Sequence, residues 1–283
     1  MSQPGGQSNL SVYTCCTMCG SPKLISADTV HELVECTDCG LIFAARHYST
    51  LELANLYKSL YNRGGAYDHY YLSALQLLRS GKTPWIGFER RKILTHLIQQ
   101  GVAAVGEIGA GYGMTAQWLK RFGVEYHGFE FDETTAQTAQ GFGFNICLGD
   151  HSRLKAMCRE LDALVAFEVL EHVPDIRECF DDIRTCLKPS GLLGITVPNY
   201  NCRLNDPGPT FLGQDKPPIH LNFWTLQSLK RTLELCGFAP EMICVRRRPD
   251  LNIKNPVGTL TNYFKALIKK YHGKQILCVA RKR

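Results

Sequence analysis

From Val102 to Arg283, short apolar runs alternate with longer amphipathic stretches. Val102–Ile108, Glu125–Glu130, Asn145–Leu148, Ala163–Phe167 and Leu192–Val197 read as buried strands, and the segments 113–122, 133–141, 151–160 and 175–188 between them have helical spacing. Strands that alternate with helices predict βαβ units, a parallel sheet and helices on both of its faces. Two further strands are predicted at Met242–Arg247 and Ile276–Ala280. Between them Thr259–Tyr271 forms an amphipathic helix with Leu260, Tyr263, Phe264, Leu267, Ile268 and Tyr271 on one side. That side is expected to pack on the sheet, the alternative being contact with a membrane surface.

Upstream, Leu51–Tyr61, Tyr67–Leu78 and 86–100 read as helices, broken at Asn62-Arg63-Gly64-Gly65 and at Ser80-Gly81-Lys82-Thr83-Pro84. The expected organisation is a disordered tail over 1–11, a cysteine module over 12–45, a helical linker or lid over 46–84, and an α/β domain over 85–283. No apolar run reaches 18 residues, so no membrane span is predicted. The first residues lack a basic start followed by an apolar stretch, which leads to the expectation of a cytoplasmic protein without a secretory signal.

Glycine placement adds chemistry to this pattern. Glu107-Ile108-Gly109-Ala110-Gly111-Tyr112-Gly113 follows the first strand and opens a helix, where a tight turn lets the backbone approach a ligand at a helix N-terminus. The spacing is G-x-G-x-G. A dinucleotide loop would place its third glycine at position 114, which is Met. The second strand ends in Glu130-Phe131-Asp132, where a carboxylate can accept both hydrogen bonds of a ribose diol, and the third in Gly149-Asp150-His151.

The stretch Glu107–Asp150 resembles motifs I to III of class I S-adenosyl-L-methionine-dependent methyltransferases. Phe167-Glu168-Val169-Leu170-Glu171-His172-Val173-Pro174-Asp175 is similar to a segment of the ubiquinone-O-methyltransferase-like branch. Leu187-Lys188-Pro189-Ser190-Gly191 resembles its turn into the fifth strand, with Ser190 in place of a glycine. The resemblance covers roughly residues 85–283. It implies a Rossmann-like seven-stranded sheet whose last strand is antiparallel and lies between strands five and six. It also implies Glu107 near the methionine amino group, with Gly109, Gly111 and Gly113 along its backbone. Glu130 would hold the ribose hydroxyls, Phe131 would lie on the adenine, Asp150 with His151 would sit at its amino group, and Phe167 and Glu168 would flank the cofactor.

Methyl transfer from a sulfonium needs an aligned acceptor and often one proton acceptor. His172, just past the fourth strand, and His220, in the Pro198–Trp224 insertion, are the candidates, the alternative for each being a structural hydrogen bond. Glu171 reads as a helix-start carboxylate. Tyr70, Tyr71 and Trp224 are pocket or core residues.

Of thirteen cysteines, four have a pattern: Cys16-x-x-Cys19 and Cys36-x-x-Cys39, each pair followed by glycine. That spacing predicts a structural four-thiolate zinc ion with no open position for catalysis. Cys15 could replace Cys16 only at the cost of the spacing. The front end also resembles the zinc-ribbon leader of bacterial methyltransferases that modify sugars, polysaccharides and secondary metabolites, which implies a small-molecule or glycan acceptor. The net charge of +6 is concentrated from Glu241 onward, where 11 Lys/Arg stand against Glu241 and Asp250. A nucleic-acid or protein substrate held by that basic region is the alternative, but the ribbon itself carries more acidic than basic residues. Nothing in the pattern singles out an oligomeric state.

Overall fold

The computed structural model describes residues 11–61, 68–82, 84–204, 216–245, 256–267 and 273–283. Three short strands open it: β1 (Leu24–Asp28), β2 (Leu33–Cys36) and β3 (Ile42–Ala44). Helices α1 (Thr50–Tyr61), α2 (Asp68–Arg79) and α3 (Phe88–Gln99) follow. The α/β region then runs β4 (Ala104–Ile108), α4 (Met114–Leu119), β5 (Glu125–Glu130), α5 (Glu133–Gly141), β6 (Ile146–Leu148), β7 (Leu161–Phe167), α6 (Ile176–Cys186) and β8 (Leu187–Pro198). It ends with α7 (Tyr200–Leu204), β9 (Asn222–Phe223), α8 (Leu226–Leu235), β10 (Phe238–Val245), α9 (Pro256–Leu267) and β11 (Gln275–Lys282).

Seven strands form one sheet in the order β10-β11-β8-β7-β4-β5-β6. The pairs from β6 to β8 are parallel, and β11 enters antiparallel between β8 and β10, as the sequence resemblance implied. The strand order reverses at β4, which pairs with β5 on one side and β7 on the other. A crevice at the carboxyl ends of two such strands is where open α/β sheets bind ligands.

The period-two alternation of side chains assigns each strand residue to one of two cores. On one face Leu164 and Ala166 of β7, Leu193 and Ile195 of β8 and Cys278 of β11 pack with Ile176, Phe180 and Ile183 of α6 and Leu229 and Leu233 of α8. On the other face Ala163 and Val165 of β7 and Leu277 and Val279 of β11 pack with Ile93, Leu94 and Leu97 of α3. Each such fully buried leucine or phenylalanine contributes about 1.5–3 kcal/mol. Met18, Leu41 and Phe43 from the cysteine module belong to the first of these cores. In addition, β3 pairs antiparallel with β9, so the module's sheet extends into the segment before α8. The front end is therefore fastened to the α/β body by both side chains and backbone.

Two expectations need correction. The stretch 151–160 is not an α-helix but one 3-10 run, His151–Met157, buried only through Leu154. Asp150 caps that run by accepting the Ser152 N–H at 2.9 Å, and it ends before Arg159, which has φ 58°. Helix α9 does not lay its apolar side on the sheet: Leu260 is 73% and Leu267 81% exposed, and Phe264 is exposed as well. Helix α3 packs on one face of the sheet and α8 on the other. Arg246, Arg247 and Ile268–Tyr271 lie outside the described residues, as does the expected tail up to position 10. Among the described residues, no helix is long and apolar enough to cross a membrane.

Candidate functional site

The crevice beside β4 is built first from backbone. Gly109, Gly111 and Gly113 all take left-handed φ values of 71°, 54° and 82°. A Cβ on Gly109 would come within 2.6 Å of Val169 Cγ2, so the loop can lie against the segment after β7 only with glycine there. A Cβ on Gly111 would meet nothing within 4 Å, which marks the open side of the loop. Gly113 sits at the N-cap of α4.

Three carboxylates stand around the loop in different environments. Glu107 is fully buried, accepting from Thr115 Oγ1 at 2.8 Å and from the Tyr126 hydroxyl at 2.5 Å. Burial pushes its pKa up to about 7 although both hydrogen bonds and the nearby Arg90 charge favour ionisation. Glu130 is also buried, which raises its pKa, and it accepts the Gly111 N–H at 2.9 Å and the Asp132 N–H at 3.0 Å. Its carboxylate thus fastens the tip of β5 to the glycine loop. Asp150 is exposed, and its bonds from Ser152 outweigh partial desolvation and lower its pKa.

Phe131 is exposed above this group, and its ring meets Tyr57 of α1 at 5.2 Å between centroids. His151 turns toward α6, with Nδ1 2.8 Å from Asp182 Oδ2, and so braces the 3-10 run. Phe167 is buried beneath the Arg90 guanidinium, 5.2 Å from its ring centre. Glu168 has φ 58°, a left-handed backbone that costs a non-glycine residue about 1–3 kcal/mol and is tolerated where surroundings over-determine it. Burial raises its pKa as well.

Beyond Glu168 the chain makes a tight turn that carries the most connected part of the site. Glu171 is buried and begins no helix, since α6 starts at Ile176. Its carbonyl accepts the N–H groups of Leu221 at 2.6 Å and Asn222 at 3.0 Å. The Asn222 side-chain amide donates to the carbonyls of Leu170 at 3.0 Å and Val173 at 2.7 Å. These bonds bring His220 beside His172, with ring centroids 4.7 Å apart, and Tyr57 reaches the same histidine at 6.0 Å. The two histidines and Glu171 offer ligating atoms all within 4.8 Å of one another.

Among the residues singled out from sequence, Gly109–Gly113 with Glu130 and Phe131 form one connected group and Glu171–His172 with His220 another, joined by Tyr57, while Asp150 and His151 are engaged with Ser152 and with Asp182 of α6. Trp224 is fully buried in the core; the side chains of Tyr70 and Tyr71 lie outside the described residues. Sequence reading passed over Tyr57, Arg90, Tyr126 and Asn222. Tyr57 falls in the front-end run Leu51…Leu56-Tyr57…Tyr61 and Asn222 in the run His220–Thr225, both of which carry a family resemblance without marking either residue for the site; Arg90 and Tyr126 carry no motif.

The cysteine module places Cys16 Sγ 3.5 Å from Cys39 Sγ and Cys19 Sγ 3.5 Å from Cys36 Sγ, with all four sulfurs within 4.8 Å. Those separations exceed a disulfide bond and suit sulfurs sharing one tetrahedral ion, which stand about 3.7 Å apart when each bond is about 2.3 Å. Both knuckles fold alike: Gly20 N–H donates to Cys16 O at 2.9 Å and Gly40 N–H to Cys36 O at 2.7 Å. The donor set fits zinc. Cys15 is exposed and outside the cluster.

A methyltransferase-domain family model matches residues 90–242, more than half of the chain. Among solved structures, a Bacillus halodurans C-125 protein described as a methyltransferase is similar at 17% identity and TM-score 0.53, over 69% of this chain and 99% of that one. A geranyl diphosphate methyltransferase has 16% identity and TM-score 0.53 over 69% and 78% of the two chains. A Galdieria sulphuraria protein described as a sarcosine dimethylglycine methyltransferase has 15% identity and TM-score 0.50 over 68% and 84%. At such identities the likeness is one of fold. No curated protein matches.

Proposed function

Because this chain belongs to the methyltransferase-domain family, as a class I S-adenosylmethionine-dependent enzyme, we propose that it methylates an oxygen of a small hydroxylated or sugar-like molecule. The observation that carries this reading is the Tyr57 bridge between the glycine-loop side of the crevice, at Phe131, and the Glu171–His172–His220 cluster. The first side has the features of a nucleoside site: an open loop at Gly111, a carboxylate in Glu130 at a strand tip, and a flat ring in Phe131. The second supplies polar groups where an acceptor would be aligned and deprotonated.

In this reading Glu130 accepts from the ribose hydroxyls, Asp150 from the adenine amino group, and ionised Glu107 faces the ammonium end of the cofactor through the glycine turn. S-Adenosylmethionine supplies an electrophilic methyl group and a neutral thioether leaving group. The chain's own work is to hold the acceptor in line, exclude water with α1, and take one proton at His172 or His220. The four cysteines hold a structural zinc ion that stiffens β2 and β3, and with them the β3–β9 pairing that positions the segment from His220 to Phe223.

The test is transfer of labelled methyl from S-adenosylmethionine into fractionated small molecules, with Glu130→Ala as control. Loss of Glu130 should weaken cofactor binding by about 10-fold or more, the value of a charge-assisted hydrogen bond of about 1.5–3 kcal/mol. Cofactor affinity unchanged in that variant refutes the ribose assignment. Label recovered only in RNA or protein refutes the acceptor class.

A further inference from the structure

Helix α9 stands in the connection between β10 and β11, and the sheet fixes both ends of that connection. Val245 pairs with Ile276, and Gln275 pairs with Pro198, the last residue of β8. Asn199 adds two bonds at the same place, its N–H donating to Lys274 O at 2.8 Å and its side-chain amide to Gly273 O at 2.9 Å. Strand β8 runs parallel to β7, and β7 to β4. The connection therefore leaves the sheet at the carboxyl ends of the parallel strands, the end at which the crevice lies.

The apolar residues of α9 meet solvent. Val257 is 75% and Phe264 62% exposed, and Leu260 and Leu267 are exposed with them. Their spacing of three, four and three residues places all four on one stripe about 80° wide and about 15 Å long. Thr261, next to the stripe, keeps its hydroxyl proton on the helix's own Val257 carbonyl at 2.9 Å. The charge in this part of the sequence has one sign: residues 246–274 carry eight Lys/Arg against a single acidic residue, Asp250, and α9 itself has no acidic residue.

Twelve residues are too few to cross a bilayer, which takes about 20. A basic amphipathic helix instead lies in the plane of the interface, its apolar stripe sunk to the headgroup boundary and its cations at the phosphates. A second copy of this chain would cover the stripe only by bringing two segments of like charge together, which repel. An anionic bilayer offers an apolar phase and negative phosphates in a single plane, which matches both features at once. We propose that α9 docks the protein on the surface of an anionic lipid bilayer, with Val257, Leu260, Phe264 and Leu267 entering the headgroup boundary. Docking there brings the crevice end of the sheet to the membrane.

Flotation of the full chain with phosphatidylcholine vesicles, with and without phosphatidylglycerol, tests this. Binding should be at least about 10-fold tighter when phosphatidylglycerol is present and should fall as salt is raised. Leu260→Gln combined with Phe264→Gln should weaken it by about 10-fold or more, because the apolar area that enters the boundary is lost. Thermal melts and S-adenosylmethionine affinity should stay unchanged in that variant, since both side chains are exposed. Phe264→Trp should gain, over the wild-type chain, fluorescence quenching by bromine-labelled lipid, which locates this face in the bilayer. Absence of wild-type binding to phosphatidylglycerol vesicles overturns the proposal, as does equal binding by the double Gln variant. Equal binding to pure phosphatidylcholine removes the anionic surface as the partner and overturns it too. Concentration-dependent dimerisation that the double Gln variant abolishes assigns the stripe to a second copy instead. None of these measurements involves methyl transfer, so their failure leaves the oxygen-methylation reading standing, and failure of that reading leaves the docking surface standing.

Discussion

Replacing Asn222 by alanine tests whether the link between β9 and the turn after β7 is what assembles the site. Its side-chain amide donates to Leu170 O at 3.0 Å and Val173 O at 2.7 Å, and the residue is buried. Truncation leaves two carbonyls short of a donor in a place water does not reach. Each buried unsatisfied group costs about 1–3 kcal/mol, and relief of the amide's own desolvation returns part of that. A net loss of about 3 kcal/mol follows. The backbone bonds from Leu221 and Asn222 to Glu171 O survive, so the segment should remain docked but less fixed. Urea unfolding should show a lower midpoint with unchanged slope, the signature of a stability change without a change in exposed surface. In the transfer assay kcat should fall while cofactor affinity stays within about two-fold, because the Gly109–Gly113 loop is not involved. Asn222→Asp should be worse at neutral pH, since a carboxylate would face two acceptor oxygens. A midpoint shift worth less than about 0.5 kcal/mol refutes the clamp, and so does equal loss of cofactor affinity and turnover.

Glu107 sets a pH dependence. Its folded pKa of about 7 lies above the ordinary 4.5, so the folded chain keeps a proton there that the unfolded chain gives up. The corresponding stability, about 3 kcal/mol at most, is fully present below the unfolded value and is lost as pH rises through about 7. A cationic cofactor favours the ionised form, so its affinity should climb as pH rises toward about 7. Glu107→Gln should flatten both trends in unfolding and binding titrations; unaltered slopes would exclude this carboxyl as their source. Ser190 occupies a left-handed turn at φ 61°, so Ser190→Gly should raise stability by about 1 kcal/mol, seen as a melting increase of about 2–4 °C. Zinc analysis should find an ion retained by Cys16, Cys19, Cys36 and Cys39 and lost in Cys36→Ser. Stripping it should lower the melting temperature of the whole chain rather than release a separate unit, because Met18, Leu41 and Phe43 share a core with α6 and α8.

The α/β body was readable because its signals are local. Five parallel strands and three of the four helices between them stand within a few residues of the positions that alternation and glycine breaks predict. The run 151–160 misled because its spacing is helical but only Leu154 is fully buried, with Met157 partly packed on the same core. Helix α9 misled for the complementary reason. Periodicity reports that a face is apolar, not that it has a partner surface, and here Leu260, Phe264 and Leu267 stay exposed.

The candidate site divides along the same line. Gly109, Gly111, Gly113, Glu130 and Asp150 follow strand ends, so a motif in one stretch of sequence places them. Glu171 and His172 are readable as residues but not as partners of His220, because their meeting depends on Leu221 and Asn222 N–H groups reaching Glu171 O across some fifty residues. That reach in turn depends on β9, a two-residue strand too short for any pattern, which is held in place by pairing with β3 of the cysteine module. A module that read as an appended front end is thus one side of the frame that brings His220 to His172. A closed four-thiolate zinc site at Cys16, Cys19, Cys36 and Cys39 would suit that role, since a part that holds other residues in register contributes most when its own geometry is closed.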